Sequence, residues 1–91
     1  MSVLHVPAVV HELLALKDAP PPVLGDHVVA TDDRFRVTIT RASEFLYAVD
    51  VLDGSRELVR PRERNVRGHN RAIFLAINRV KTVAFEEART R

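Results

Sequence analysis

Between Pro7 and Asp18 the apolar side chains Val9, Val10, Leu13, Leu14 and Leu16 recur at spacings of three and four, with Glu12 and Lys17 between them. A helix brings residues at those spacings onto one face, so the pattern predicts an amphipathic helix over residues 7–18. Pro7 suits the first turn, where a missing N–H leaves no helical bond unmade. Pro20-Pro21-Pro22 ends the helix, because successive prolines supply no backbone donors and favour an extended path. Residues 20–25 therefore read as a connector, closed by a turn at Gly25-Asp26.

The period then changes to two. Val28 and Val29 are followed by Phe35, Val37 and Ile39 alternating with Arg34, Arg36, Thr38 and Thr40, and then by Phe45, Tyr47, Val49 and Val51. Such alternation is the mark of half-buried strands. Asp32-Asp33, Ala42-Ser43-Glu44 and Asp53-Gly54-Ser55 fall between the runs. Asp-Gly favours a tight hairpin, since both central residues of a type I′ turn need positive φ. The result is an antiparallel meander, with a further strand from Arg56 to Arg60 that stops at Pro61.

The segment Arg62 to Asn70 has Val66 as its one large apolar residue and contains Gly68, which predicts an exposed loop or the tip of a long hairpin. Residues 71–88 admit two readings. As strands, Arg71 to Ile77 and Val80 to Glu86 pivot at Asn78-Arg79, with Ile73, Leu75 and Ile77 on one face and Phe74 and Ala76 on the other. As a helix capped by Asn70, Ala72, Ile73, Ala76, Ile77, Val80, Val83, Ala84 and Ala88 line one stripe. The helix leaves Phe74, Leu75 and Phe85 off that stripe and sets Glu86 and Glu87 at the negative end of its dipole, so strands are expected. The fold class that follows is α+β. A single domain over residues 1–91 has the helix at 7–18 and antiparallel strands over 27–87 that curl into a five- to six-stranded small barrel, the kind that the resemblance given below makes SH3- or Sm-like. The alternative is an α-β-β-β-α sandwich.

A chain of 91 residues without Cys has no disulfide framework and no thiolate metal site. It buries only about 60–65% of its unfolded surface, so its apolar core or self-association must hold it. The start Met1-Ser2-Val3-Leu4-His5 lacks a positively charged leader region. No apolar run approaches the roughly 20 residues of a membrane span, so a cytoplasmic protein with no membrane partner is expected.

The formal net charge of +2 hides an asymmetry. Acidic residues dominate up to Ser55, whereas Arg56, Arg60, Arg62, Arg64, Arg67 and Arg71 crowd a short later segment with only Glu57 and Glu63 among them. Guanidinium is a planar fork of donors that matches phosphate oxygens and stays charged at any physiological pH. The run is thus a candidate anion or nucleic-acid site, to which His69 adds charge in mild acid. The plainer alternative is a solvated hairpin in which Glu57 and Glu63 pair with neighbouring arginines.

The stretch Tyr47 to Pro61, with Asp53-Gly54-Ser55-Arg56 leading to that proline, followed by Ile73 to Val83 ending in Arg79-Val80-Lys81-Thr82-Val83, resembles the small β-barrel of WYL domains. Ile73-Phe74-Leu75 stands nearest to that family's Trp-Tyr-Leu, and the chain usually found before the closing motif is missing. The resemblance implies a Sm-like barrel that binds nucleic acid or a nucleotide-type ligand as a regulatory module, with Arg79 as a ligand contact.

Other chemistry is sparse. His5, His11, His27 and His69 show no metal-ligand spacing, and no carboxylate triplet completes a set. Asp32, Asp33 and Asp53 occupy predicted turns, where Asp caps backbone amides, and Asp50 reads as an exposed strand residue. Ser43 and Ser55 lack a nucleophile context, and three Gly make no phosphate loop. Phe35, Phe45, Tyr47, Phe74 and Phe85 keep phase with Val and Ile, as core residues do. No enzyme and no cofactor are expected. Two functions remain: a DNA- or RNA-binding regulatory module that uses the arginine segment for phosphate, or a protein-interaction module that forms a homo-oligomer by acidic-to-basic docking.

Overall fold

The alternation over residues 27–53 is realised in three antiparallel strands, β1 (His27–Thr31), β2 (Phe35–Arg41) and β3 (Leu46–Asp53). They follow α1 (Ala8–Asp18), and after them come β4 (Arg56–Glu57), a 3₁₀ turn (Pro61–Glu63), β5 (Asn65–Arg67) and α2 (His69–Arg89). The computed structural model describes residues 6–89, so the expectations for Met1 to His5 lie outside the described residues.

Register sets the faces. Ile39 pairs with Val49 and Val37 with Val51, while Val28 and Ala30 of β1 meet Ile39 and Val37. These side chains share one face with Phe35 and Tyr47 and are covered by both helices. α1 contributes Val9, Val10 and Leu13, and α2 contributes Ala72, Ile73, Ala76, Ile77 and Val80. One continuous core results, in which each fully buried Val, Leu or Ile contributes about 1.5–3 kcal/mol. The opposite face carries His27, Val29, Arg36, Thr38, Thr40 and Asp50, and neither α1 nor α2 lies on it.

The start of α1 is capped from a distance. Pro7 offers no side-chain acceptor. Asp32, in the β1–β2 turn, accepts the Val9 amide through Oδ2 at 3.0 Å and the amides of Arg34 and Phe35 through Oδ1 at 2.8 and 2.7 Å. Glu12 returns the contact by accepting the Thr31 amide at 2.8 Å. Burial alone raises the Asp32 carboxyl, but the amides of Phe35, Arg34 and Val9 and the charge of Arg34 outweigh it and hold it below the usual carboxylate range. The same Asp thus fixes a turn and pins a helix.

Residues 69–89 form a helix, not strands, and this corrects the expected barrel. Two observations explain it. Ala72 and Ala76 are fully buried, small enough to bring the helix close onto β3, and the off-stripe Phe74 sits half-exposed on the outer side. Arg34 of the β1–β2 turn reaches Glu87 at 2.6 Å, and Arg89 lies in the same last turn, so the acidic end of the dipole is offset. The sheet stays open, because β2 occupies one edge of β3, β4 and β5 share the other, and β1 pairs only with β2. The α-β-β-β-α sandwich expected as the alternative is the framework, with two short strands added at one edge.

The segment before α2 also differs from expectation. The strand foreseen from Arg56 to Arg60 is two residues long; beyond it Leu58 still donates to Val51 at 2.9 Å and Val59 turns inward. In place of a loop from 62 to 70, β5 pairs Val66 with Tyr47, and Gly68 at φ +104° turns the chain into α2. A side chain there would strain the backbone. The hairpin after β3 forms, but not as the type I′ turn expected: Asp53 pairs with Arg56, and of the two central residues Gly54 has positive φ, +62°, while Ser55 does not.

Candidate nucleic-acid interface

The sequence from Arg56 to Arg71 runs along one edge of the sheet, through β4, the 3₁₀ turn, β5 and the first turn of α2. Arg56, Arg60, Arg62, Arg67 and Arg71 are exposed there, and among the described residues none has a carboxylate within ion-pair distance. Neither glutamate of the segment pairs with them. Glu63 holds Arg79, and Glu57 makes no ion pair among the described residues.

Arg64 is different. Its guanidinium grips Asp50 of β3 with both prongs, Nε to Oδ1 at 2.7 Å and Nη2 to Oδ2 at 2.9 Å. That contact raises the Arg64 pKa further and ties the 3₁₀ turn to the open face. Arg79, the ligand contact implied by the resemblance, lies on α2 with its guanidinium bonded to Glu63 and to Asn78 at 3.2 Å. Both arginines are engaged within the chain, so the candidate interface loses them. A third such site, absent from the sequence reading, joins Arg34 to Asp53 at 2.7 Å and to Glu87, raising the arginine and lowering the Asp53 carboxyl through the hydrogen bond from Arg34.

His69 stands apart from the exposed arginines. It opens α2 half-buried, its ring 5.6 Å from that of Tyr47, and burial together with the charge of Arg41 lowers its pKa. Its ring therefore takes up a proton only at more acid pH than an ordinary His. Arg41, which the sequence did not single out, lies over the Tyr47 ring, 5.9 Å from its centre, and donates to the carbonyls of Pro22 and Glu44 at 3.2 and 2.9 Å. The Pro-rich connector, the β2–β3 turn and the start of α2 thereby meet at one end of the molecule, where Gly68 also donates to the Phe45 carbonyl at 2.8 Å.

Four of the five unpaired arginines fall into two sets. Arg56 and Arg60 border a cleft of about 360 Å³ that Glu57, Glu63 and Glu86 also line, which weakens the local positive field. Arg67 and Arg71 stand at the start of α2.

The aromatics divide against expectation. Phe35 and Tyr47 are core, but Phe45 is 59% exposed and Phe74 50% exposed, and Phe85 is only partly covered. Phase along a strand could not reveal this, because Phe45 sits in the β2–β3 turn and Phe74 and Phe85 belong to a helix. Among the described residues no group of three His, Asp or Glu is placed to hold a metal ion, and no helix is long and apolar enough to cross a membrane. No family model, no curated protein and no solved structure matches the chain.

Proposed function

We propose that this protein is a non-enzymatic cytoplasmic regulatory module that binds DNA or RNA through phosphate contacts along the β4–β5 edge. One observation carries the reading: Arg56, Arg60, Arg62, Arg67 and Arg71 stay exposed without an ion-pair partner among the described residues, while Arg34, Arg64 and Arg79 are consumed by Asp53, Asp50, Glu63 and Glu87. A solvated hairpin neutralised by its own glutamates would pair the edge arginines first. The nucleotide-ligand role implied by the WYL-like resemblance fits the same phosphate chemistry, with the edge arginines in place of Arg79.

Homo-oligomerisation by acidic-to-basic docking draws less support. Asp50 and Asp53, two of the acidic residues on which it depends, are already neutralised within the chain. Gel-shift titration with DNA and RNA tests the two against each other. Replacing Arg60, Arg62 and Arg67 together by Gln weakens binding about tenfold or more and flattens the dependence on salt by about two to three contacts. Arg64→Gln, which removes a guanidinium already held by Asp50, leaves affinity within about twofold. Equal losses in both variants, or no binding by the unaltered protein at low salt, would overturn the proposal.

A further inference from the structure

Arg71, Phe74, Asn78, Lys81 and Phe85 follow one another at spacings of three and four on α2, so they form one stripe along the helix. It is not the stripe that meets the sheet. A groove of about 430 Å³ runs along it, lined by Phe74, Ile77, Asn78, Lys81, Thr82 and Phe85. No carboxylate lines this groove, whereas the clefts on the neighbouring flanks contain Asp32, Asp33 and Glu87 on one side and Glu57, Glu63 and Glu86 on the other. Each ring has a cation beside it. Lys17 of α1 stands 5.7 Å from the centre of Phe74, and Lys81 stands 5.8 Å from that of Phe85.

Exposed rings interleaved with unneutralised cations ask for a partner that is both negative and flat. A second copy seated on the same stripe would set Arg71 and Lys81 against their own kind, which like-charge repulsion opposes. A duplex offers phosphates but keeps its base faces stacked inside. A single strand offers both phosphate charge and open base faces, and base stacking on aromatic side chains is its general mode of recognition. The rings are eleven residues apart, three helical turns and about 16 Å, a separation that places them under different nucleotides of one strand.

We propose that the α2 stripe is a track for single-stranded nucleic acid, with bases stacked on Phe74 and Phe85 and phosphates held by Arg71, Lys81 and Lys17. This rests on the nucleic-acid reading above and names its substrate class.

Fluorescence anisotropy with labelled single strands of about 15 nucleotides and a duplex of equal length tests it, with a fluorescent base analogue in the strand to report stacking. The unaltered protein binds the single strand about tenfold or more tighter than the duplex, and Phe74→Leu with Phe85→Leu weakens the single strand by about tenfold or more. Leucine keeps the apolar bulk and removes the π face, so duplex affinity and the salt slope stay as they were. Phe74→Leu alone, at the more exposed ring, gives a partial loss in the same direction and separates stacking from any loosening of the fold at Phe85.

Equal affinity for strand and duplex, or unchanged single-strand binding by the leucine variants, overturns the track while leaving phosphate recognition at the sheet edge standing. Absence of binding to either nucleic acid overturns both. Self-association of the unaltered protein that the leucine variants abolish assigns the stripe to a second copy and also overturns it.

Discussion

Replacing Asp32 by Ala removes three acceptor contacts at once, to the amides of Val9, Arg34 and Phe35. Loss of a helix cap alone costs about 0.5–2 kcal/mol. The Arg34 and Phe35 amides lie in a turn that water can reach in part, so each adds at the low end of the usual range, about 0.5–1 kcal/mol. The total for Asp32→Ala is about 1.5–4 kcal/mol, which lowers the melting temperature of a domain this small by roughly 6–30 °C. Asp32→Asn keeps an oxygen for the turn amides but turns its NH₂ toward the Val9 amide, so it costs about 1 kcal/mol, the worth of the cap.

The pH dependence has a defined sign. The Asp32 carboxyl titrates below its ordinary 3.8 in the folded chain, so its stabilisation is complete above that value and is lost as pH falls through the lower, folded-state pKa. Urea denaturation followed by circular dichroism at neutral pH and near pH 3 measures both effects. The gap between the unaltered protein and Asp32→Ala is widest at neutral pH and narrows in acid. A gap below about half a kcal/mol at neutral pH, or one that widens in acid, would refute the capping account.

Leu13→Ala creates a cavity at a fully buried site and costs about 2–4 kcal/mol, whereas Leu14→Ala, at a side chain 39% exposed, costs less than about 1 kcal/mol; thermal unfolding of the two variants separates them. Arg64→Gln breaks a bidentate but solvent-exposed pair with Asp50 and costs less than about 1 kcal/mol, so denaturation finds a folded protein whose nucleic-acid affinity is then read without ambiguity.

The first half of the chain was legible because local signals there agree with one another. Helix spacing at Val9, Val10 and Leu13, the proline stop and the Asp53-Gly54 turn all point the same way, and the meander followed. The second half was misread at Phe74 and Phe85. A strand reading explains two large aromatics by burying them, and nothing in local spacing tells that two lysines will border them on an outer face instead. Leu14 was likewise counted with Leu13, although α1 turns only Val9, Val10 and Leu13 fully inward.

The arginine segment was legible as chemistry but not as geometry. Which of its cations stay unpaired depends on Asp50 and Glu63 arriving from β3 and the 3₁₀ turn, contacts that join residues 14 and 16 positions apart. The role of Asp32 is of the same kind. Sequence marks it as a turn residue, and only the packing of α1 against the β1–β2 turn, 23 positions away, makes it a helix cap.

The central claim is that the unpaired edge arginines recognise phosphate, and the salt dependence of binding tests it most directly. Dissociation constants for a single-stranded oligonucleotide, measured across a series of salt concentrations, give the number of phosphates engaged from the slope of log affinity against log salt. Four or five contacts predict a slope of about −3 to −3.5, at about −0.7 per contact on a single strand. A slope near zero, or no measurable binding at the lowest salt, would contradict the claim.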